Sequence, residues 1–281
     1  MAITHIIILL AAGILTGFFS GLLGVGGGAI MTPAQDIVYA AMGIPADMTI
    51  KIAFGTSLLV VLPTAFSGAW KHHRKGLVRW KVAFVMGSCT FIASFGGATL
   101  ATNISGSGLK IIFGILLLAM GTRMLVARLP ETEDEPRNNP WLWLAWAIPI
   151  GFATGFLGFG AGILAVPILV LALRFKMHNA VATSLAIMIF SSLGGIIGYI
   201  INGIGVPNLP AYSIGYIHLP SWFLLAVTSI GMAQVGAGTA HRLPAPKIRG
   251  IFVALLFVVG LRMLVVGLGM LGLFELPGWL I

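Results

Sequence analysis

The chain has 281 residues; 58% are apolar, only 8% are charged, and the mean hydropathy is +1.05. A water-soluble core cannot absorb that much apolar surface, so a soluble globular domain is excluded and a multi-pass membrane protein remains. The net charge of +9 does not call for nucleic acid, because lysine and arginine gather in short stretches between apolar runs, where they set topology.

The opening residues Met1–His5 carry no Lys or Arg, so the first apolar run is expected to stay as a span rather than be cleaved. Apolar runs fall at roughly 5–42, 52–70, 82–101, 109–127, 141–173, 179–201, 221–240 and 250–273. Most match one bilayer thickness, about 20 residues. The first and fifth are far longer, and both carry the same motif. The first reads Gly17-Phe-Phe-Ser-Gly21-Leu-Leu-Gly24-Val-Gly26-Gly27-Gly28 and ends on Pro33. The other reads Gly151-Phe-Ala-Thr-Gly155-Phe-Leu-Gly158-Phe-Gly160-Ala161-Gly162 and ends on Pro167. The copies align without a gap. A helix-breaking motif at lipid depth, once per half, points to a transporter's binding site.

Charge bias predicts how the long runs are threaded. If each is a single crossing, the loops hold seven Lys and Arg on one side and seven on the other. If each turns back at its glycines, the division becomes twelve against two, with loop 71–81 inside. The positive-inside rule selects the second arrangement. The expected fold is therefore all-α and membrane-embedded. It comprises two inverted repeats, each of about five helical segments with one glycine-broken helix. The repeats are assigned to 1–128 and 141–281, joined by an acidic cytoplasmic connector at 129–140, with both chain ends outside. The piece near 163–173 is too short to span and is expected to be a partial helix.

Several residues have candidate roles. Gly24, Gly26, Gly27 and Gly28, with Gly158, Gly160 and Gly162, would leave N–H groups free at the start of the following helix, an anion site by unpaired donors and helix dipole. Gly13, Gly17 and Gly21 read instead as close-packing positions. Thr56 and Ser57 match Thr183 and Ser184 in the second half. Their hydroxyls either donate to an oxyanion or back-bond to a carbonyl one turn earlier. Arg123 and Arg262 occupy matching places, as anion or gating contacts or as snorkelling side chains. Asp36 has no counterpart. It either takes up a coupling proton or reaches the outer interface with Lys51 as counter-charge. His72 and His73 read as interfacial, and Cys89, the single cysteine, as a packing residue. The sequence shows no catalytic constellation, metal motif or cofactor fingerprint, so neither an enzyme nor a cofactor is expected.

The glycine motif, its proline, the following Gly55-Thr56-Ser57, and the basic hairpin Arg74-Lys75-Gly76-Leu-Val-Arg-Trp80 recur in weaker form in the second half. Together they resemble the sulfite exporter TauE/SafE family of membrane anion transporters, over essentially the whole chain. Ala161, where the first copy has Gly27, departs from the pattern and implies an asymmetric anion contact. The resemblance implies a secondary transporter of a small sulfur-containing oxyanion in the cytoplasmic membrane, working by alternating access. A passive anion channel and a carrier of small carboxylates remain the alternatives. The expected partners are the anion and the bilayer, with a homodimer as the candidate assembly and no nucleic acid.

Overall fold

The computed structural model describes residues 2–23, 26–126, 137–239 and 245–273. They form α1 (Ile3–Leu23), α2 (Gly28–Ala41), α3 (Ala46–His73), α4 (Trp80–Thr102), α5 (Gly106–Val126), α6 (Pro140–Leu157), α7 (Gly162–Leu171), α8 (Met177–Gly203), α9 (Leu219–Thr239) and α10 (Ala245–Met270). A small antiparallel hairpin, β1 (Ser213–Ile214) and β2 (Ile217–His218), precedes α9. Among the described residues, all helices but α2 and α7 are long and apolar enough to cross a bilayer, eight in all. At 1.5 Å per residue α2 extends about 21 Å and α7 about 15 Å, short of a hydrocarbon core of about 30 Å. The chain is a multi-pass membrane protein. Residues 127–136, which include most of the acidic connector 129–140, and residues 240–244 lie outside the described residues.

Each long apolar run breaks where its glycines demand it. Gly26 (φ +77°), Gly158 (φ +63°) and Gly160 (φ +81°) adopt the left-handed backbone that side chains disfavour. Gly158 ends α6, and its N–H returns to the Thr154 carbonyl at 2.9 Å. Asn139 starts the same helix by accepting the Trp141 N–H at 3.0 Å, with Pro140 in the first turn. Pro33 and Pro167 fall at the sixth position of α2 and α7, where each removes a rung of the helical ladder.

Inside lipid, helices approach closely only where their facing residues are small. Gly13, Gly17 and Gly21 of α1 rest on Leu225, Ser229 and Ala233 of α9 in the same order, so these helices run parallel. Gly151 and Gly155 of α6 rest in the same way on Thr90 and Ser94 of α4. Helices α3 and α9 are also parallel, through Leu59 with Trp222 and Thr64 with Ser229. So are α4 and α8, through Phe91 with Gly194 and Thr99 with Asn202. Between α3 and α8 the order reverses, Gly55 meeting Tyr199 and Gly68 meeting Leu185. Between α5 and α10 it reverses again, Ile111 meeting Gly267 and Gly121 meeting Leu256. Helices α1, α3 and α9 thus point one way, and α4, α6 and α8 the other.

These directions define two faces. One carries the α3–α4 and α7–α8 connections, with Lys71, Arg74, Lys75, Arg79, Lys81, Arg174 and Lys176; it is the basic face. The opposite face carries the α2–α3 and α4–α5 connections and the β-hairpin. Tyr216, Ile217 and His218 of that hairpin are buried, so it folds back into the bundle rather than lying on it.

Candidate functional site

The two glycine turns meet. A Cβ on Gly28 would fall 2.1 Å from the Phe159 Cα, and one on Gly26 would fall 2.9 Å from the Phe159 carbonyl. Gly158 abuts Phe54, while Gly160 faces Val61 and Met188. These neighbours lie near the middles of α3 and α8, so the turns sit at mid-depth. Gly27 faces the Thr16 side chain, whose hydroxyl reaches its carbonyl at 3.4 Å. Gly27 (φ −100°) and Ala161 (φ −64°) both have ordinary right-handed backbone. Close packing or backbone conformation therefore accounts for each described glycine of the first motif; Gly24 lies outside the described residues.

The turns also present donors. The first ladder bonds run from Ile30 to Gly27 and from Leu164 to Ala161. Among the described residues, the N–H groups of Gly28, Ala29, Gly162 and Ile163 have no backbone or side-chain acceptor. They stand at the positive ends of two half-helices.

The hydroxyl pairs do not converge on those donors. Thr56 accepts the His218 N–H at 3.0 Å, and Thr183 accepts the Arg79 N–H at 3.2 Å. Each hydroxyl thereby holds the residue just before the next long helix, α9 or α4. Ser184 back-bonds to the Val181 carbonyl at 2.8 Å. Ser57 turns towards α2, receiving a bond from Gln35 Nε2 at 2.8 Å and lying 3.2 Å from the Thr32 hydroxyl.

From Ser57 a buried polar network continues along α2. Tyr39 donates to Gln35 Oε1 at 3.0 Å, with Ser221 and Thr56 beside it. His218 packs edge-on against Tyr39, with ring centres 5.7 Å apart, and its Nδ1 is 2.8 Å from Ser221 Oγ. Burial lowers the His218 imidazole to about 4, so it is neutral in ordinary conditions. Sequence reasoning missed Thr32, Tyr39, His218 and Ser221. The spacing Thr32, Gln35, Asp36, Tyr39 was the available signal, one polar stripe on a helix whose second-half counterpart has Val166, Leu169, Val170 and Leu173.

Asp36 is buried rather than interfacial, and Lys51 is not its counter-charge. Its carboxylate accepts from the Thr49 hydroxyl at 2.6 Å and from Lys110 Nζ at 2.9 Å, with Arg262 Nη1 at 4.0 Å. Lys51 pairs instead with Asp47 at 3.0 Å, one helical turn away. Asp47 also accepts the Gly106 N–H. Two carboxylates thus tie α2 and α3 to the start of α5, because a charge in this setting requires an opposite charge and hydrogen bonds. The matching arginines have different surroundings. Arg262 faces Asp36, whereas Arg123 is exposed beside a crevice between α6 and α7 lined by Trp146, Pro149 and Leu171. His73 accepts from the Trp80 indole at 2.9 Å, and His72, in the last turn of α3, is buried. Cys89 is half-buried. No cluster of His, Cys, Asp or Glu that would hold a metal occurs among the described residues.

Known proteins resemble this chain along nearly all its length. A "Probable membrane transporter protein" of Haemophilus influenzae is 26% identical over 92% of this chain and 98% of its own. A protein of the same description from Methanocaldococcus jannaschii is 29% identical over 92% of this chain and 94% of its own. Another from Xylella fastidiosa is 33% identical over 66% of this chain and 70% of its own. No solved structure matches. The family described as sulfite exporter TauE/SafE matches residues 9–263, glycine turns, basic face and most of α10 included, and the chain belongs to that family of membrane transporters.

Proposed function

We propose that this protein is a secondary transporter that carries a small oxyanion, such as sulfite, an organosulfonate or a related sulfur-containing anion, across the cytoplasmic membrane. The observation that carries this reading is the meeting of the two half-helix starts at mid-depth, with the N–H groups of Gly28, Ala29, Gly162 and Ile163 lacking an acceptor among the described residues. A dehydrated anion between lipid-facing helices needs charge-assisted hydrogen bonds, and backbone donors at helix starts supply them without burying lysines. Because the turns touch, the anion would enter as they separate, and separation of the half-helices is the proposed alternating-access step. The opposed directions of α3 and α8, and of α1 and α6, support an inverted repeat with the basic face in the cytoplasm.

Asp36 is the proposed site of the coupling proton. Neutralising it would release Lys110 and Arg262 from their shared carboxylate and loosen α2 from α5 and α10. The test is uptake of labelled sulfite or ethanesulfonate into sealed vesicles containing the purified protein. Accumulation above the external concentration under a pH gradient is expected. Flux that only equilibrates would replace the transporter with a channel, and selective accumulation of acetate would replace sulfonates with carboxylates.

A further inference from the structure

On the basic face a cavity of about 510 Å³ opens between the start of α4, the residues leading into α6, and the α7–α8 connection. Arg79, Lys81 and Asn138 supply its polar wall, and Trp80, Trp143 and Phe175 its aromatic wall. Arg79, Lys81 and Asn138 are exposed, whereas Trp143 is buried and held by a bond from its indole to the Arg137 carbonyl at 3.0 Å. The two described carboxylates, Asp36 and Asp47, lie towards the opposite face and are ion-paired.

The repeat relationship gives the cavity its meaning. Arg79 and His218 are matching residues, each just before a long helix and each held through its N–H by Thr183 or Thr56. On the hairpin face that position is a buried, neutral histidine sealed against Tyr39. On the basic face it is a cation beside open space. The capped N–H also connects Arg79 directly to α8, whose Met188 touches both glycine turns.

We infer that this cavity is a loading site for an organic anion with an oxyanion head and an apolar body. Arg79 and Lys81 take the head and the half-exposed indole of Trp80, backed by the buried Trp143, takes the body. This inference rests on the transporter reading and names the face and substrate shape for it. The volume lies in the range of sites for ligands well above sulfite in size, and the aromatic wall rewards apolar bulk. Guanidinium and ammonium groups match a sulfonate or carboxylate, and their attraction weakens as salt screens it.

The test is calorimetric titration of benzenesulfonate, ethanesulfonate and sulfite into the purified protein in phosphatidylcholine nanodiscs. Affinity should fall in that order. The Arg79→Gln/Lys81→Gln double variant should weaken benzenesulfonate binding about tenfold or more. The cap to Thr183 uses the Arg79 backbone, so the variant should keep its fold; an unchanged melting temperature verifies this. Equal affinity in the double variant, or a reversed order, overturns the site. A second arm adds phosphatidylglycerol, since an anionic lipid offers the same head-and-body chemistry. Unchanged benzenesulfonate affinity supports a soluble ligand, and abolished binding assigns the cavity to lipid and overturns the loading role. Vesicle uptake separates the two readings. Unchanged KM for benzenesulfonate in the double variant removes the site while transport stands. Retained binding in a protein that moves no anion removes transport while the site stands.

Discussion

The hydroxyl of Thr183 accepts the backbone N–H of Arg79 across 3.2 Å, and 127 positions earlier Thr56 does the same for His218 at 3.0 Å. The paired threonines thus do the same work in two places: Thr56 of α3 holds the start of α9, and Thr183 of α8 holds the start of α4. Thr183→Val and Thr56→Val should each lower stability by about 1–2 kcal/mol, the usual cost of a lost cap or buried hydrogen bond. Thr→Ser at either place should recover most of it. Thermal unfolding in detergent, with anion affinity measured alongside, reads the difference between a structural and a ligand-binding hydroxyl.

Gly27→Ala tests the turn without forcing its backbone, since φ is −100° there. The new Cβ would fall 1.8 Å from Thr16 Cγ2, a contact nothing short of displacement relieves. We expect marked destabilisation, about 1–3 kcal/mol by analogy with other overpacked sites. Adding Thr16→Ser deletes that methyl and should restore most of the loss. Gly96→Ala, where nothing lies within 4 Å, is the control and should be neutral or slightly stabilising.

Asp36→Asn leaves Lys110 and Arg262 without their carboxylate. Breaking one partner of a buried pair costs about 3–5 kcal/mol. The paired replacement Asp36→Leu/Lys110→Met removes both charges and should be markedly more stable than either single change. A double-mutant cycle measured by chemical unfolding checks this, and additivity of the two single losses would contradict the ion pair.

His218 gives a pH dependence of definite sign. Burial lowers it to about 4 in the folded state, from an ordinary 6.5. Above 6.5 neither state binds the proton, so its contribution to stability is constant. Between 6.5 and 4 the unfolded chain gains the proton first, and stability falls as pH falls through that window. The melting temperature of the wild type should decline there more steeply than that of His218→Asn, while the two curves run parallel above pH 7.

Sidedness is tested by cysteine labelling in a Cys89→Ala background. A cysteine at 176 should react only from the cytoplasm and one at 214 only from outside. The opposite result would reverse the proposed orientation.

Run length, glycine and proline are local properties, and they made the membrane class, the paired broken helices and the short α7 legible from the residues alone. Apolar runs must match the bilayer, and glycine and proline break helices wherever they stand. The positive charges likewise marked the basic face. The partners were not legible. Lys110, counted as an outer loop charge, is the ion partner of Asp36, and Lys51 belongs to Asp47. His218 sits in an irregular connection with no periodicity, yet packs beside Tyr39. The direction of a hydroxyl and the choice among nearby cations depend on which helices become neighbours. That is settled by the packing of small residues such as Gly17 on Ser229 and Gly155 on Ser94, which only the tertiary structure decides.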